Sequence, residues 1–252
     1  MSASLTDRVV VITGGNRGIG AAMATACAEA GAQVAIWGRD PAANEEALGQ
    51  LQANGHDAVA LEADVTDEAS VDNAFANTVA AFGRVDTMIA NAGAGFPGPI
   101  HELSLADWRA ATAVNLDGVF LCARAASKHM IQRGAGGAIV ATSSTSALHG
   151  APGNQAYSAS KAGVLALVRG LAVELARHRI RCNSLMPGWT ETDMTAPLQG
   201  WQKFVDATVA RTPARRWATP EDMGAATVFL ADPAYTFHTG DCLVVDGGYT
   251  IF

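Results

Sequence analysis

The amino-acid sequence predicts an α/β protein built on one doubly wound parallel sheet, with helices on both faces. Short apolar runs rich in Val and Ile alternate along the chain with longer amphipathic stretches, which is typical of a parallel sheet enclosed by helices. The runs are apolar at nearly every position instead of alternating with polar residues, which indicates strands buried on both faces. We therefore expect a single-domain fold of about seven strands.

In the first part of the chain each predicted strand is followed by a helix. Asp40 before Pro41 is a typical start of a helix, and Ser104 with Asp107 has capping-box spacing. Gly31 is placed to end the first helix. The predicted strands are residues 9–12, 34–37, 59–61 and 85–90, and the predicted helices are residues 21–30, from 40 onward, 67–82 and 104–133.

The second part of the chain continues the alternation and adds one irregular segment. Residues 190–216 lack a sustained period and are expected to form short helices over a ligand site. Strands are predicted at residues 138–142, 180–186 and 243–245, and helices at residues 153–178 and 220–230.

Composition narrows the class of protein. The net charge is −7, and no Lys/Arg stripe suggests nucleic-acid binding. No apolar stretch approaches the roughly 20 residues of a membrane helix, and residues 1–8 do not resemble a signal peptide. The four cysteines lie far apart and predict buried thiols, and no cluster of His, Cys and Asp suggests a metal site. A cytoplasmic protein is expected.

A glycine-rich turn joins the first strand to the first helix. Residues 13–20 read Thr-Gly-Gly-Asn-Arg-Gly-Ile-Gly, and glycines there let the backbone approach a pyrophosphate at the helix N-terminus. The spacing G-x-x-x-G-x-G differs from the common G-x-G-x-x-G fingerprint. An ordinary glycine-rich loop is the alternative, and it is disfavoured by the position directly after a strand.

Several further motifs occur in a fixed order along the whole chain. They are Asp64-Val65, Asn91-Ala92-Gly93, Asn115, Ser144, Tyr157 with Lys161, and Pro187-Gly188. With the glycine turn, this order resembles the short-chain dehydrogenase/reductase family, in its branch of about this chain length. The one departure is Ala90 before Asn91, where the family often has a second Asn.

The resemblance implies a Rossmann-type fold and an NAD(P)-dependent oxidoreductase that moves a hydride between a nicotinamide cofactor and a secondary alcohol or ketone. It also implies a homotetramer. Residues 1–252 would form one domain, with a dinucleotide-binding half of about residues 1–145 and a catalytic and substrate half of about residues 146–252.

Tyr157 and Lys161 lie four residues apart in a predicted helix, so their side chains share one face. A tyrosine pKa is normally about 10, and a nearby ammonium together with an oxidised nicotinamide would lower it enough for acid/base work. By themselves, Tyr157 and Lys161 would more readily be an incidental surface pair, since Tyr and Lys often lie one turn apart. Ser144, thirteen residues before Tyr157, has the register of the family's serine and would polarise the substrate oxygen. Ser143, Thr145 and Ser146 adjoin it in what is otherwise an ordinary polar turn.

The resemblance assigns further roles. Lys161 would bind the nicotinamide ribose, Asn115 would hold a water in a proton relay to Lys161, and Asp64 would accept from the adenine amine. The residues expected to bind cofactor are Gly14, Asn16, Arg17, Gly18, Ile19, Gly20, Arg39, Asp64, Val65, Asn91, Gly93, Tyr157, Lys161, Pro187, Gly188, Thr190 and Thr192. No metal is expected.

The end of the second predicted strand indicates which cofactor is preferred. NAD-preferring sites place an acidic residue there, whereas this chain has Gly38 followed by Arg39. Gly38 leaves room for a 2′-phosphate, and Arg39 and Arg17 supply positive charge. NADP(H) is therefore expected. NAD(H) stays possible, because Asp40 could reach a ribose hydroxyl instead of capping the next helix.

The substrate itself is less well defined. Apolar residues after the sixth strand and around Phe96 suit a carbonyl compound with a hydrophobic or cyclic body. A single His in a Gly/Pro loop is more often solvent-facing or part of a substrate loop, and the functional alternative for His149 is that it lines that pocket. A 3-oxoacyl thioester reductase and a non-catalytic nucleotide-sensing protein remain as alternatives. The Tyr-Lys spacing disfavours an enoyl-thioester reductase, and the chain length and glycine spacing disfavour a sugar-nucleotide epimerase.

Overall fold

The computed structural model describes residues 4–252 as seven parallel strands in one sheet, in the order β3-β2-β1-β4-β5-β6-β7. The strands are β1 Val9–Thr13, β2 Gln33–Gly38, β3 Ala58–Glu62, β4 Thr87–Ala90, β5 Gly137–Thr142, β6 Ile180–Pro187 and β7 Cys242–Val245. The helices are α1 Gly18–Glu29, α2 Pro41–Ala53, α3 Glu68–Phe82, α4 Leu105–Thr112, α5 Gly118–Arg133, α6 Gln155–Leu175, α7 Ala196–Gln199, α8 Gln202–Arg211 and α9 Gly224–Ala231.

The sheet is covered on both faces, as the apolar strands predicted. Every residue of β1, β4 and β6 is buried, and the strands carry two separate apolar clusters. One cluster packs against α3, α5 and α6, and the other against α1, α2 and α9. The strand order reverses between β1 and β4, which opens a crevice at their carboxyl ends where such folds bind ligands.

Two predicted boundaries differ from the structure, and polar contacts account for the first of them. The strand expected at residues 85–90 begins at Thr87, since the Asp86 carboxylate turns back to accept from the Val9 N–H at 3.0 Å and from Arg133 at 2.7 Å. The first helix begins at Gly18, earlier than the predicted residue 21. Asp40 accepts from the N–H groups of the first turn of α2, which confirms it as the N-cap.

The helix predicted over residues 104–133 is interrupted. A π-helical turn at Ala113–Asp117 separates α4 from α5. Within this turn the Asn115 amide donates to the Ala94 carbonyl at 2.9 Å and accepts from the Ala94 N–H at 3.0 Å. The turn is the arrangement that lets Asn115 reach across to the loop after β4, and such π turns are frequent at functional sites.

The segment at residues 190–216 contains two short helices, α7 and α8, as expected. Its aromatic side chains pack on each other: Trp189 stacks on Trp217 with ring centres 5.4 Å apart, and Phe204 meets Trp189 edge-on at 5.1 Å. These side chains therefore form the internal packing of the segment.

Candidate active site

The predicted site residues collect at the carboxyl edge of the sheet, around the crevice between β1 and β4. The glycine turn follows β1, Asn91 and Gly93 follow β4, and Ser144 follows β5. Tyr157 and Lys161 come from the first turns of α6, which packs back against β5 and β6. Parallel strands end at the same edge, so residues far apart in sequence meet there.

The glycine turn leads into the start of α1, which no side chain caps. Arg17 occupies the N-cap in an extended conformation, its side chain caps no N–H, and the first turn carries no acidic residue. The N–H groups at the helix start are thus left for a ligand. A Cβ on Gly20 would stand 2.0 Å from the Gly14 carbonyl oxygen, so only glycine permits this close approach of helix and turn. Gly14, Asn16, Gly18 and Ile19 complete the turn.

Gly38 ends β2 in a space that two asparagines close. Asn16 donates to the Asn44 carboxamide at 2.8 Å, and Asn44 donates to the Gly38 carbonyl at 2.9 Å. A Cβ on Gly38 would stand 2.3 Å from Asn16 Nδ2 and 2.4 Å from Asn44 Oδ1. A side chain of any kind at this position, an acidic one included, would therefore have to displace the asparagine pair. The following Arg39 is exposed.

Asp64 lies after β3 with one carboxylate oxygen engaged. Its Oδ1 accepts from both the N–H and the hydroxyl of Thr66, at 2.9 and 2.8 Å. Partial burial raises the pKa of this carboxyl, but the hydrogen bonds from Thr66 and the charge of Arg39 outweigh burial and lower it. Val65 is buried against Gly118 at the start of α5. Asp64 thus stays ionised with Oδ2 free of hydrogen bonds from residues 4–252.

Asn91 holds the strand ends together. Its amide donates to the Thr13 carbonyl at 3.2 Å and its oxygen accepts from the Thr142 hydroxyl at 3.2 Å. This side chain therefore links β4 to β1 and β5. Gly93 lies beside the catalytic candidates, since a Cβ there would stand 3.1 Å from Asn115 Oδ1 and 3.6 Å from Lys161 Nζ.

Lys161 is a buried cation, with 2% of its surface exposed. Its Nζ donates to the Thr142 carbonyl at 2.8 Å, and the Ser143 hydroxyl donates to the Lys161 carbonyl at 2.9 Å. Burial lowers the pKa of Lys161 from its ordinary value to about 8. Sequence reasoning missed Thr142 and Ser143 as supports of this lysine, because nothing in the local pattern places them under α6.

Tyr157 differs from its expectation in one respect. The sequence predicted a lowered pKa, but in the chain itself burial raises the pKa of Tyr157 above its ordinary value, and only Ser144, within hydrogen-bonding reach, opposes the rise. The Lys161 ammonium lies 5.7 Å from the centre of the Tyr157 ring. The protein alone therefore keeps Tyr157 as a neutral acid.

The segment after β6 reaches back to the glycine turn. Pro187 ends β6, and the Thr190 hydroxyl donates to the Gly188 carbonyl at 3.1 Å. A Cβ on Gly18 would stand 3.4 Å from Thr192 Cγ2. The segment after β6 thus approaches the glycine turn at Gly18.

The structure also shows polar atoms that the sequence did not single out. Buried side-chain atoms without a hydrogen-bond partner in residues 4–252 include His149 Nε2, Gln155 Oε1, Ser158 Oγ and Trp189 Nε1. No local signal marks them, because their burial depends on how the loops after β5 and β6 pack. Within the described residues no group of three His, Cys, Asp or Glu side chains is arranged to hold a metal. No helix there is both long and apolar enough to cross a membrane.

Comparisons with known proteins agree with this geometry. A family model described as enoyl-(acyl carrier protein) reductase matches residues 14–250. The cis-4-hydroxycyclohexanecarboxylate dehydrogenase of Sinomonas cyclohexanicum is 42% identical over 252 residues, covering 99% of each chain. A short-chain type dehydrogenase/reductase from Mycobacterium marinum superposes with a TM-score of 0.94 at 33% identity, covering 99% of this chain and 98% of that one. The chain belongs to the short-chain dehydrogenase/reductase family.

Within this family, another similar structure carries ligands. The gluconate 5-dehydrogenase of Burkholderia cenocepacia, in complex with NADP and tartrate, has a TM-score of 0.94 at 36% identity, covering 98% of this chain and 96% of that one. This short-chain dehydrogenase/reductase is an NAD(P)-dependent oxidoreductase acting between secondary alcohols and ketones. The Rossmann-type single-domain fold expected from the sequence is confirmed.

Proposed function

We propose that this enzyme reduces a ketone, or oxidises the matching secondary alcohol, with Tyr157 as the acid/base and Ser144, Lys161 and Asn115 in support. The observation that carries this proposal is the meeting of Ser144, Tyr157 and a buried Lys161 at one edge of the sheet. A buried lysine is costly. Lys161 lies one helical turn after Tyr157 and has no acidic partner in the described residues. We therefore attribute its burial to a role in the reaction.

The proton chemistry follows from the two pKa directions. Tyr157 is held neutral by burial and can donate its proton to the oxygen of a ketone. Ser144 donates to the same oxygen and stabilises the charge that develops there. Lys161 has a pKa of about 8 and is largely protonated at neutral pH. Its ammonium then stabilises the phenolate that Tyr157 leaves after proton transfer.

Asn115 completes the proposed proton path. Its carboxamide is fixed by two hydrogen bonds to Ala94, and Gly93 brings it close to Lys161. We propose that it positions a water molecule for proton exchange between Lys161 and solvent. The two hydrogen bonds between Asn115 and Ala94 also stabilise the π turn, whether or not a water binds there.

The residues of the crevice fit a nicotinamide dinucleotide. The uncapped start of α1 would hold the pyrophosphate, and Asp64 Oδ2 would accept from the adenine amine. Lys161 would bind the nicotinamide ribose, and Thr190 and Thr192 the carboxamide. When bound, the nicotinamide supplies the hydride chemistry. The chain supplies orientation and proton transfer.

NADP(H) is the cofactor that the strand end supports. The Asn16–Asn44 pair fills the space that an acidic side chain on residue 38 would need. Arg39 and Arg17 are exposed beside this space and present guanidinium groups suited to a 2′-phosphate. Asp40 is engaged as the α2 N-cap, which leaves it poorly placed to select NAD(H). The bound NADP of the Burkholderia relative supports the same choice.

The names of the relatives indicate the kind of substrate. The relatives reported above are named for cis-4-hydroxycyclohexanecarboxylate and gluconate, compounds with a secondary hydroxyl and a carboxylate. We propose a secondary alcohol or ketone of comparable size. We also propose that the enzyme is a homotetramer, supported by exposed apolar side chains such as Phe120 on α5 and Phe252 at the C-terminus.

Replacing Tyr157 by Phe tests the proposal. The change removes only the hydroxyl, and general acid/base groups contribute about 10²–10⁴-fold to rate. We expect kcat to fall by that order in an NADPH-oxidation assay with a ketone panel, while NADPH binding measured by fluorescence is retained. Near-normal kcat in the folded variant would reject Tyr157 as the acid/base.

A further inference from the structure

Three side chains from distant parts of the chain meet beside the substrate segment. They are Arg211 at the end of α8, Tyr249 after β7, and His149 in the loop after β5. The Arg211 guanidinium carbon lies 4.4 Å from the centre of the Tyr249 ring. The His149 ring centre lies 5.4 Å from that of Tyr249, at 66°. Tyr249 is 8% exposed and joins the other two into one cluster.

The cluster lies at the same edge of the sheet as the proposed catalytic groups. The Ser143 N–H donates to the Leu185 carbonyl at 2.8 Å, and the Gly188 N–H donates to the Val245 carbonyl at 2.9 Å. The ends of β5, β6 and β7 are therefore neighbours. His149 leaves the first of these ends, shortly after Ser144, and Tyr249 leaves the last.

The donors of this cluster are not used by the protein. His149 Nε2 is buried and has no partner in residues 4–252. Within residues 4–252, the Arg211 guanidinium makes no hydrogen bond or ion pair. Its neighbours do: Arg215 donates to the Ala210 carbonyl at 2.8 Å and Arg216 pairs with Asp222. A buried side-chain nitrogen without a partner, such as His149 Nε2, is uncommon and indicates a missing partner, whereas the Arg211 side chain is exposed and open to a ligand.

The nearest acidic side chains along these elements are engaged elsewhere. Asp246 accepts from the Gly248 N–H at 2.8 Å and from the N–H and hydroxyl of Thr250 at 2.8 and 2.7 Å. Asp206 on α8 accepts from Gln202 at 2.8 Å. In a chain of net charge −7, Arg211 is thus a cation left without a counter-ion. A planar guanidinium held on an aromatic ring is well suited to bind a carboxylate.

We propose that Arg211, assisted by His149, binds a carboxylate of the substrate, so that the enzyme acts on hydroxy acids and keto acids whose carboxylate lies remote from the reacting carbon. This inference rests on the proposed function and specifies its substrate class. Tyr249 is a positioning residue, which holds the guanidinium and the imidazole against its ring. The acidic group selects the substrate, while Ser144 and Tyr157 act on the carbonyl.

The test compares a keto acid with its neutral amide. The probes are 4-oxocyclohexanecarboxylate and 4-oxocyclohexanecarboxamide, with 5-oxohexanoate and 5-oxohexanamide as an open-chain pair. The wild-type enzyme is expected to reduce an acid with the higher kcat/KM. Arg211→Gln is expected to lower kcat/KM for that acid by about tenfold or more, mainly through KM, and to leave the amide unchanged. Arg211→Lys, which keeps the charge but loses the fork, should fall between the two.

A matched control separates recognition from loss of charge or folding. Arg215→Gln removes the same charge four residues away and is expected to keep the wild-type ratio of acid to amide. NADPH binding by fluorescence should be equal in all variants. Three outcomes would overturn the inference. They are an equal kcat/KM for acid and amide in the wild type, reduction of neutral ketones but of neither acid, and an unchanged ratio of acid to amide in Arg211→Gln. Absence of NADPH oxidation with every ketone, cyclohexanone included, would overturn the proposed function itself.

Discussion

Replacing the buried Lys161 by an apolar residue should stabilise the fold, although it should abolish activity. Burial lowers the pKa of Lys161 from 10.5 to about 8, and each pKa unit corresponds to about 1.4 kcal/mol. At neutral pH the charged lysine thus destabilises the fold by about 3 kcal/mol. Lys161→Met removes this penalty and retains an unbranched side chain of similar length. It also loses the hydrogen bond to Thr142, worth about 1 kcal/mol.

The expected net gain for Lys161→Met is about 2 kcal/mol at pH 7, or a rise in Tm of about 4–8 °C for a chain of this size. Turnover should be abolished, as is common when a costly functional group is replaced. Urea unfolding of both proteins at equal concentration provides the measurement. Lys128→Met, which removes an exposed charge on α5, is the control and should change the free energy of unfolding by less than about 0.5 kcal/mol.

The pH dependence of this stability gain provides an independent check on its sign. The folded pKa of this base is lowered, so its penalty is fully present below pH 8 and disappears as the pH rises from the folded pKa toward 10.5. At pH 9.5 less than half of the penalty remains in the wild type. The gain from removing it in Lys161→Met is then nearly cancelled by the lost hydrogen bond to Thr142. The thiols of Cys27 and Cys122, whose pKa burial raises to about 12, affect both proteins equally and leave the difference unchanged. A variant less stable than wild type at pH 7, or a gain that does not shrink by pH 9.5, would refute the reasoning.

The other predictions concern the cofactor, the π turn and assembly. Arg39→Ala should weaken NADPH binding by about ten- to a hundredfold and barely change NADH binding, because a charge-assisted hydrogen bond contributes about 1.5–3 kcal/mol; equal loss of both in a fluorescence titration would contradict the assignment. Asn115→Ala should lower the free energy of unfolding by about 2–4 kcal/mol, since two backbone groups of Ala94 lose their partners; unchanged stability would mean that the turn does not depend on this amide. Light scattering should give a homotetramer at micromolar concentration, and a mass near 25.9 kDa would exclude it.

The order of strands and helices followed from the sequence alone, because that information is local. Apolar runs such as residues 9–12 are buried wherever they pair, and Asp40 caps a helix through bonds to its own next turn. The glycine turn and the four-residue spacing of Tyr157 and Lys161 are likewise patterns within one turn or helix. The family resemblance added Ser144 and Asn115, which no local period distinguishes from neighbouring polar residues.

Tertiary structure decided what depends on burial and on contacts between distant residues. The sequence showed a tyrosine near a lysine, but only the packing of α6 on β5 shows that Lys161 is buried and Tyr157 is half-buried, which lowers the pKa of the lysine and raises that of the tyrosine. The π turn at Asn115 exists because Ala94, on another loop, supplies its partners. The contact of Arg211 and His149 with Tyr249 joins the ends of three elements. No pattern along the chain could predict it, because each of these side chains is unremarkable until the fold brings it to the others.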